Sequence, residues 1–98
     1  MAYKIIVSPR ALKEIENAIE YYSLSSVEAP KRFVISLDEA YNFISEAPFR
    51  RVVYKSVRAL KLKRFPYLLY FVVDEIQKKV KVLACFHSKR NPDKRPLY

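Results

Sequence analysis

The stretch Arg64-Phe65-Pro66-Tyr67-Leu68-Leu69-Tyr70-Phe71-Val72-Val73 contains seven consecutive apolar residues after its proline, and Asp74 ends the run. A short apolar run bounded in this way is typical of a strand buried on both faces. It is too short to span a membrane, which takes about 20 residues. Because proline cannot donate a ladder hydrogen bond, Pro66 marks the start of the strand. We therefore predict a central strand that the rest of the chain must cover.

The segment before this run alternates between apolar and basic residues. Leu60 and Leu62 point to one face, and Lys61 and Lys63 point to the other. An alternation with a period of two predicts a half-buried strand within residues 58–65. Its connection to the central strand is short, so the two strands are expected to pair antiparallel.

Three other segments have the composition of strands. Residues 3–7 and 51–55 are short, and residues 80–86 follow the polar turn after the central strand. In a regular strand the last segment would divide into two faces, one with Val80, Val82 and Ala84 and the other with Lys81, Leu83 and Cys85.

Two amphipathic helices are predicted between the first two strands. Ser8 provides an N-cap and Pro9 suits the first helical position of a helix over residues 9–22. Its apolar stripe contains Leu12, Ile15, Ile19 and Tyr22.

The second helix follows a serine-rich turn and ends before Ala47-Pro48. Ser25 and Glu28 have the spacing of a capping box. Pro30 leaves two alternatives, a helix that begins near this proline or one that tolerates a missing bond near its start. The apolar stripe beyond it contains Phe33, Val34, Leu37, Tyr41 and Ile44.

Together these elements predict an α+β domain with the order β-α-α-β-β-β and an additional short strand near Val52. The helical hairpin is expected to cover one face of a small, mostly antiparallel sheet, and the other face, with Lys61 and Lys63, to be partly open. The 98 residues suit a single domain over residues 1–98, whose residues 87–98 form a basic C-terminal tail.

Composition excludes several classes of site. The chain has no glycine, which argues against the glycine-rich loops that hold phosphates and dinucleotides. One cysteine and one histidine cannot form the usual zinc sites or an internal disulfide, so we expect neither a metal nor a cofactor. No signal peptide or membrane span is apparent, which leads us to expect a cytoplasmic protein without membrane contact.

Charge is distributed unevenly along the chain. Residues 1–48 carry five Lys or Arg against seven Asp or Glu, a net charge of −2, whereas residues 49–98 carry fourteen against three, a net charge of +11. The second half is therefore expected to attract a polyanion or an acidic protein partner.

Three local patterns, in this order, resemble the RelE/ParE superfamily of bacterial toxins that are encoded beside a small antitoxin. They are a strand followed by Ser-Pro-x-Ala over residues 5–11, the Phe-Pro-Tyr-x-x-x-Phe strand over residues 65–71, and a last apolar strand that runs into His-x-x-Arg-Asn-Pro over residues 80–92. The resemblance covers essentially the whole chain and is strongest to the ParE-like, plasmid-stabilisation branch.

The resemblance implies a site built from basic side chains. Members similar to RelE cut messenger RNA in the ribosomal A site, whereas ParE proteins poison DNA gyrase. By position in the motifs, the resemblance assigns Arg90 and His87, with Tyr98 as a late proton donor or stacking ring, to catalysis. The residues expected to bind the target are Lys61, Lys63, Arg64 and Lys89. An arginine expected on the central strand is missing, because the matching position is Tyr67 or Leu68.

Each of these residues also has a plainer interpretation, in which the lysines are solvated strand positions and His87 ends a strand. The resemblance favours a type II toxin that is neutralised by a cognate antitoxin in a heteromeric complex and inhibits DNA gyrase. Ribosome-dependent RNA cleavage by attack of the 2′-hydroxyl is the alternative. A non-toxic RNA-binding module of the same fold is a further alternative. The basic residues are expected to lie within one surface region.

Overall fold

The computed structural model of the chain describes residues 2–89, and their elements follow the predicted order. They are β1 (Lys4–Val7), α1 (Pro9–Ser23), α2 (Glu28–Glu46), β2 (Val52–Tyr54), β3 (Val57–Lys61), β4 (Tyr67–Asp74) and β5 (Lys79–His87). The predicted α+β class is confirmed, and so is the short strand near Val52. Arg90 and Tyr98, with the rest of the basic tail beyond Lys89, lie outside the described residues.

The strands form one mixed sheet in the order β1-β5-β4-β3-β2. β1 pairs parallel with β5, and the other neighbours pair antiparallel. β4 therefore lies in the middle of the sheet, as its apolar run predicts, and residues 69–72 are buried. The helical hairpin leads from β1 towards the opposite edge of the sheet, and three short connections then bring the chain back to β5.

Helix α1 begins at the predicted cap, where the Ala11 N–H donates to Ser8 Oγ at 3.1 Å. Its buried residues are Ala11, Ile15 and Ala18, whereas Leu12 is 51% exposed. The prediction that Leu12 belongs to the core stripe is therefore wrong. Two alanines on the buried face let the helix approach β5 more closely than leucine would.

Helix α2 begins at Glu28, and this position resolves the two alternatives for Pro30. Pro30 is the third residue of the helix, where the N–H of any residue would lack an intrahelical partner. The predicted capping box does not form, because the Ser25 hydroxyl donates to the Tyr22 carbonyl. Instead Ser26 Oγ accepts a hydrogen bond from the Ala29 N–H at 2.9 Å.

Val34 is a second predicted core residue that faces solvent, with 46% of its surface exposed. The buried stripe of α2 passes through Phe33, Ser36, Leu37, Ala40 and Ile44 instead. Both exposed residues directly follow a fully buried one, Ala11 or Phe33, so each lies beside the buried stripe of its helix.

The main core lies between the helices and the sheet. Four aromatic side chains make five ring contacts there, with centroid separations from 5.1 to 6.1 Å. They are Tyr22, Phe33, Phe65 and Tyr67, and Leu69, Phe71, Val80 and Val82 extend the same cluster along β4 and β5. Ring packing of this kind joins both helices to the start of the central strand.

The faces of β5 differ from the regular alternation that the sequence predicts. Tyr70 pairs with Ala84 and Phe71 pairs with Val82, so Leu83 is an extra residue, a β-bulge. Val80 and Val82 face the helices as expected, but beyond the bulge Ala84 joins the opposite cluster. The expected grouping of Ala84 with Val80 and Val82 is therefore wrong.

The helix-free face of the sheet, which was expected to be partly open, holds a second apolar cluster. Its buried members are Val57, Tyr70, Val72, Ala84 and Phe86. Tyr70 and Phe86 stack there with ring centroids 5.0 Å apart. The expected open face is thus apolar where it meets β3, β4 and β5.

Neither α1 nor α2, the helices of residues 2–89, combines the length and apolar character needed to cross a bilayer.

Two leucine substitutions test the position of the core. We expect Leu37→Ala to lower the free energy of unfolding by about 2–5 kcal/mol, because it opens a cavity at a side chain that is 7% exposed. Leu24→Ala is the matched control, since Leu24 is 84% exposed and should change stability by less than about 0.5 kcal/mol. Urea unfolding followed by circular dichroism measures both, and equal losses would contradict the core described above.

Candidate functional site

A groove of about 460 Å³ runs between α2 and the turn that joins β3 to β4. Its walls are Arg32, Ile35, Ser36, Glu39, Lys63, Arg64 and Phe65. A smaller pocket of about 110 Å³ shares Ser36, Glu39 and Lys63 with it and continues to Ala40, Phe43, Leu60 and Lys61. We call this continuous depression the α2–β3 groove.

Helical spacing explains why α2 forms one wall of the groove. The α2 residues that line it recur at three- and four-residue steps from Arg32 to Phe43, so they share one side of the helix. Eleven steps along a helix span about 16 Å. The groove is therefore long enough for a short extended or helical segment.

The β3–β4 turn is held against α2 by a specific contact. The Ser36 hydroxyl donates to the Lys63 carbonyl at 2.7 Å, and the Leu62 N–H donates to the Tyr67 carbonyl at 2.9 Å. Arg64 has a φ of 68°, a left-handed conformation that costs non-glycine residues on the order of 1–2 kcal/mol. The turn thus presents two exposed cations, Lys63 and Arg64, from a defined backbone.

The end of β5 is tied to the same turn. The Ser88 N–H donates to the Pro66 carbonyl at 2.7 Å, and His87 pairs with Tyr67 across the ladder. Their rings meet edge to face with centroids 5.5 Å apart. The Lys89 N–H donates to His87 Nδ1 at 3.1 Å. His87 and Lys89 therefore lie at the end of the sheet that carries Lys63 and Arg64.

The predicted site residues within the described range are thus brought to one end of the molecule. Lys61, Lys63 and Arg64 line the α2–β3 groove, and His87 and Lys89 follow β5 beside it. Lys61 lies opposite Leu68, which packs with the second apolar cluster, so by strand alternation its side chain belongs to the helix-free face, as predicted, while the residue also borders the groove. The predicted roles of Arg90 and Tyr98 concern positions outside residues 2–89.

The start of the central strand contributes no cation. Tyr67 is 6% exposed and packs edge to face on Phe33, with centroids 5.3 Å apart. Leu68 is half-buried and packs with the second apolar cluster. Both positions that match the missing arginine are therefore occupied by packed side chains, and Arg64, at the turn, is the nearest cation in sequence.

Positive charge is concentrated in the segment of the chain that leads to the β3–β4 turn and forms it. Between residues 47 and 73 there are seven cationic residues and no carboxylate. They are Arg50, Arg51, Lys55, Arg58, Lys61, Lys63 and Arg64. Helix α2 adds Arg32 to the groove and Glu39 as its carboxylate. Such a surface attracts anionic segments and increases their association rate.

Sequence reasoning missed Arg32 and Glu39, which flank the buried stripe of α2, and Ser36, which belongs to it. Their spacing of four and three residues would have shown that they share one side of the helix. Nothing local, however, indicates that this side faces the β3–β4 turn.

Cys85 and Tyr41 are buried groups whose ionisation is suppressed. Burial, reinforced by the neighbouring Glu14 carboxylate, raises the pKa of Cys85 from 9.0 to about 12. Burial also raises the pKa of Tyr41 from 10.0 to about 12, with a smaller contribution from Cys85. A protonated, fully buried thiol is a poor nucleophile, so Cys85 acts as a small core residue. Among residues 2–89, His, Cys, Asp and Glu side chains do not gather into a group that could hold a metal ion.

Comparison with known families identifies the class of protein. Residues 5–92 match the family described as the ParE toxin of the type II toxin–antitoxin system, parDE. The chain belongs to this family, and the resemblance seen in its three sequence motifs is confirmed. No curated protein matches the sequence.

Solved structures show the same fold. The chromosomal ParDE system of P. aeruginosa matches with a TM-score of 0.71 and 16% identity, over 90% of this chain and 98% of that chain. The RelBE2 toxin–antitoxin complex of Mycobacterium tuberculosis matches at 0.65 and 14%, over 89% and 99%. The intact E. coli RelBE complex matches at 0.62 and 19%, over 91% and 100%. Both branches of the superfamily thus share this architecture.

The two suppressed ionisations predict a loss of stability in base. In the unfolded chain Cys85 and Tyr41 ionise near their ordinary pKa values, whereas in the folded protein they stay protonated up to about pH 12. The stabilisation is complete below pH 9 and is lost as the pH rises towards 12, because ionisation favours the unfolded state.

Urea unfolding at pH 8, 10 and 11 measures this effect. We expect Cys85→Ala and Tyr41→Phe each to reduce the decline that the unaltered protein undergoes. Tyr21→Phe is the control, since Tyr21 is 50% exposed and should leave the decline unchanged. If neither buried substitution reduces the decline, the assignment is wrong.

Proposed function

We propose that this type II toxin acts in the cytoplasm by inhibiting DNA gyrase and is neutralised by a cognate antitoxin. The observation that supports a non-nucleolytic target is the start of β4, where Tyr67 and Leu68 occupy the positions that would carry an arginine in a ribonuclease. The Tyr67 ring packs between Phe33 and His87, so a solvent-facing cation at this position would lose both ring contacts.

The chemistry of RNA cleavage explains why this position matters. Attack by a 2′-hydroxyl places extra negative charge on the phosphate, and preorganised donors must stabilise that charge in the transition state. Loss of one such donor commonly slows an enzyme about a hundredfold or more. A basic surface without a cation on the central strand suits binding to a macromolecular target better than phosphate chemistry.

Ribosome-dependent RNA cleavage is the second candidate, and one contact favours it. The hydrogen bond from Ser88 to Pro66 holds the end of β5 against the turn that carries Lys63 and Arg64. An imidazole and two cations at one end of the sheet are the groups that proton transfer and charge stabilisation require. Arg64 would then replace the missing arginine of the strand. A non-toxic RNA-binding module would need only the charge.

The α2–β3 groove suits an antitoxin segment that is acidic and partly apolar. Ile35, Ala40, Phe43 and Leu60 offer apolar surface, and basic side chains form its rim. Ile35 is 60% exposed and Phe43 is 45% exposed, and exposed apolar side chains inside a charged rim are typical of a protein-binding surface.

The sheet has two edges to which an antitoxin strand could add, and the edge at β2 is the better candidate. The edge at β1 is partly occupied, because the Tyr3 N–H donates to the Ser45 carbonyl at 2.8 Å and the Ser45 hydroxyl donates to the Tyr3 carbonyl at 2.7 Å. The chain entering β2 instead lies beside the groove, where the Arg50 guanidinium stacks on the Phe43 ring at 4.9 Å. One segment could therefore follow the groove and continue along β2.

Induced expression tests the function and separates the targets. We expect the chain alone to arrest growth, co-expression of the neighbouring small gene to relieve the arrest, and plasmid DNA to lose negative supercoiling. Lys63→Ala with Arg64→Ala should weaken the arrest on the order of tenfold, whereas Lys13→Ala, on the exposed side of α1, should not. RNA 5′ ends at A-site codons that disappear in Arg90→Ala, with supercoiling unchanged, would instead establish cleavage. Unimpaired growth at a verified level of folded protein would argue against a toxin.

A second experiment tests the groove with the purified antitoxin. We expect Ile35→Asp to weaken binding at least tenfold, because it places a carboxylate where an acidic segment docks. Val34→Asp is the matched control, since Val34 is the exposed neighbour that does not line the groove. Calorimetric titration measures both affinities. Equal losses, or none, would mean that the antitoxin binds elsewhere.

A further inference from the structure

The bulge at Leu83 decides which way the end of β5 faces. Before it, Val80 and Val82 face the helices, and after it Cys85 does so. His87 lies two residues beyond Cys85 and shares its face, which brings the imidazole against Tyr67. In a strand of the same length without the bulge, His87 would point to the helix-free side.

The bulge forms where β5 loses its outer neighbour. β1 ends at Val7, opposite Val82, so the later residues of β5 have no strand on that side. The N-terminal half of α1 takes its place. The Ser8 N–H donates to the Val82 carbonyl at 2.9 Å, and the Ser8 hydroxyl donates to the Leu83 carbonyl at 3.0 Å.

Glu14 completes this arrangement from the second turn of α1. Its Oε1 accepts a hydrogen bond from the Cys85 N–H at 2.9 Å, while Oε2 lies 3.4 Å from Arg10 Nε. The Glu14 side chain is 19% exposed, so the hydrogen bond is partly shielded from water. A carboxylate that accepts from a backbone N–H forms a stronger hydrogen bond than a neutral oxygen does.

We propose that Glu14 is a positioning residue of the candidate site: by accepting the Cys85 N–H it keeps the bulge at Leu83, and the bulge places His87 beside Tyr67 and the β3–β4 turn. Without this acceptor the Cys85 N–H is left unpaired in a partly buried position, which destabilises the bulged register relative to the regular one. The regular register turns His87 to the other face. The consequence for toxicity rests on the proposed function, whereas the geometry does not.

Nuclear magnetic resonance of the folded chain tests the geometry directly. We expect Glu14→Ala to abolish the nuclear Overhauser effects between the His87 and Tyr67 rings. Glu14→Gln should preserve them, because its amide oxygen still accepts the Cys85 N–H. Glu16→Ala, which removes an exposed carboxylate from the same helix, should also preserve them.

The decisive comparison is between Glu14→Ala in the full-length chain and Glu14→Ala in a chain that lacks Leu83. Without its extra residue β5 alternates regularly and still directs Cys85 and His87 to the helix side, so the ring–ring signals should survive Glu14→Ala in this background. Glu14→Ala should abolish them only when Leu83 is present. This dependence is something that a purely stabilising role of Glu14 would not produce.

Each remaining outcome decides the question. Ring–ring signals that persist in Glu14→Ala with Leu83 present would overturn the proposal. If Glu14→Ala does not fold, its combination with the Leu83 deletion is expected to fold and to retain the signals, and failure of that protein would overturn the proposal too. If the protein that lacks only Leu83 does not fold, the bulge is required for folding, and the proposal that its role is to position His87 is wrong.

Growth arrest then connects the geometry to the site. Under induced expression we expect Glu14→Ala to weaken the arrest on the order of tenfold to a hundredfold, as displacement of a site residue by about 1 Å or more does, and Glu14→Gln to restore it. If the unaltered chain causes no arrest, the proposed function fails while the ring–ring signals still report on Glu14. If a Glu14→Ala protein still causes full arrest although its His87 and Tyr67 rings have separated, toxicity does not depend on the position of His87.

Discussion

Pairing of β4 on both of its edges is the interaction on which the rest of the fold depends. β4 pairs with β5 from Tyr67 to Asp74 and with β3 over four residues, and both of its faces are covered. A strand in this position has no solvent-exposed edge or face, so apolar side chains along its whole length are favourable. The helices, the turn and the end of β5 are each located by what they contact on this strand.

The absence of glycine puts an unusual demand on the turns. The described chain has three non-glycine residues with positive φ, and they are Lys55, Arg64 and Lys78. All three are cations in the turns between strands, so conformations that usually favour glycine are adopted here by residues that add charge. At Arg64 the turn also faces the α2–β3 groove. The local cost in backbone energy is offset by contacts elsewhere in the fold.

Much of the fold follows from signals that are local in the sequence. Ser8 and Pro9 predict the start of α1, and the apolar run after Pro66 predicts the central strand, because caps and buried runs depend on residues within a few positions of each other. The gathering of Lys61, Lys63 and Arg64 was predictable for the same reason, since all three belong to one strand end and one turn. The wall that α2 supplies was not predictable, because it depends on how a helix packs.

The direction of β5 shows where the sequence alone stops being sufficient. Composition and periodicity determined that this segment is a strand and that it follows the central strand antiparallel. The tertiary structure alone decided that Leu83 bulges and that His87 lies beside Tyr67. The reason is physical: at the bulge the Ser8 hydroxyl donates to the Leu83 carbonyl and Glu14 accepts from the Cys85 N–H. These pairs are 75 and 71 residues apart in the chain, and only folding brings the groups together.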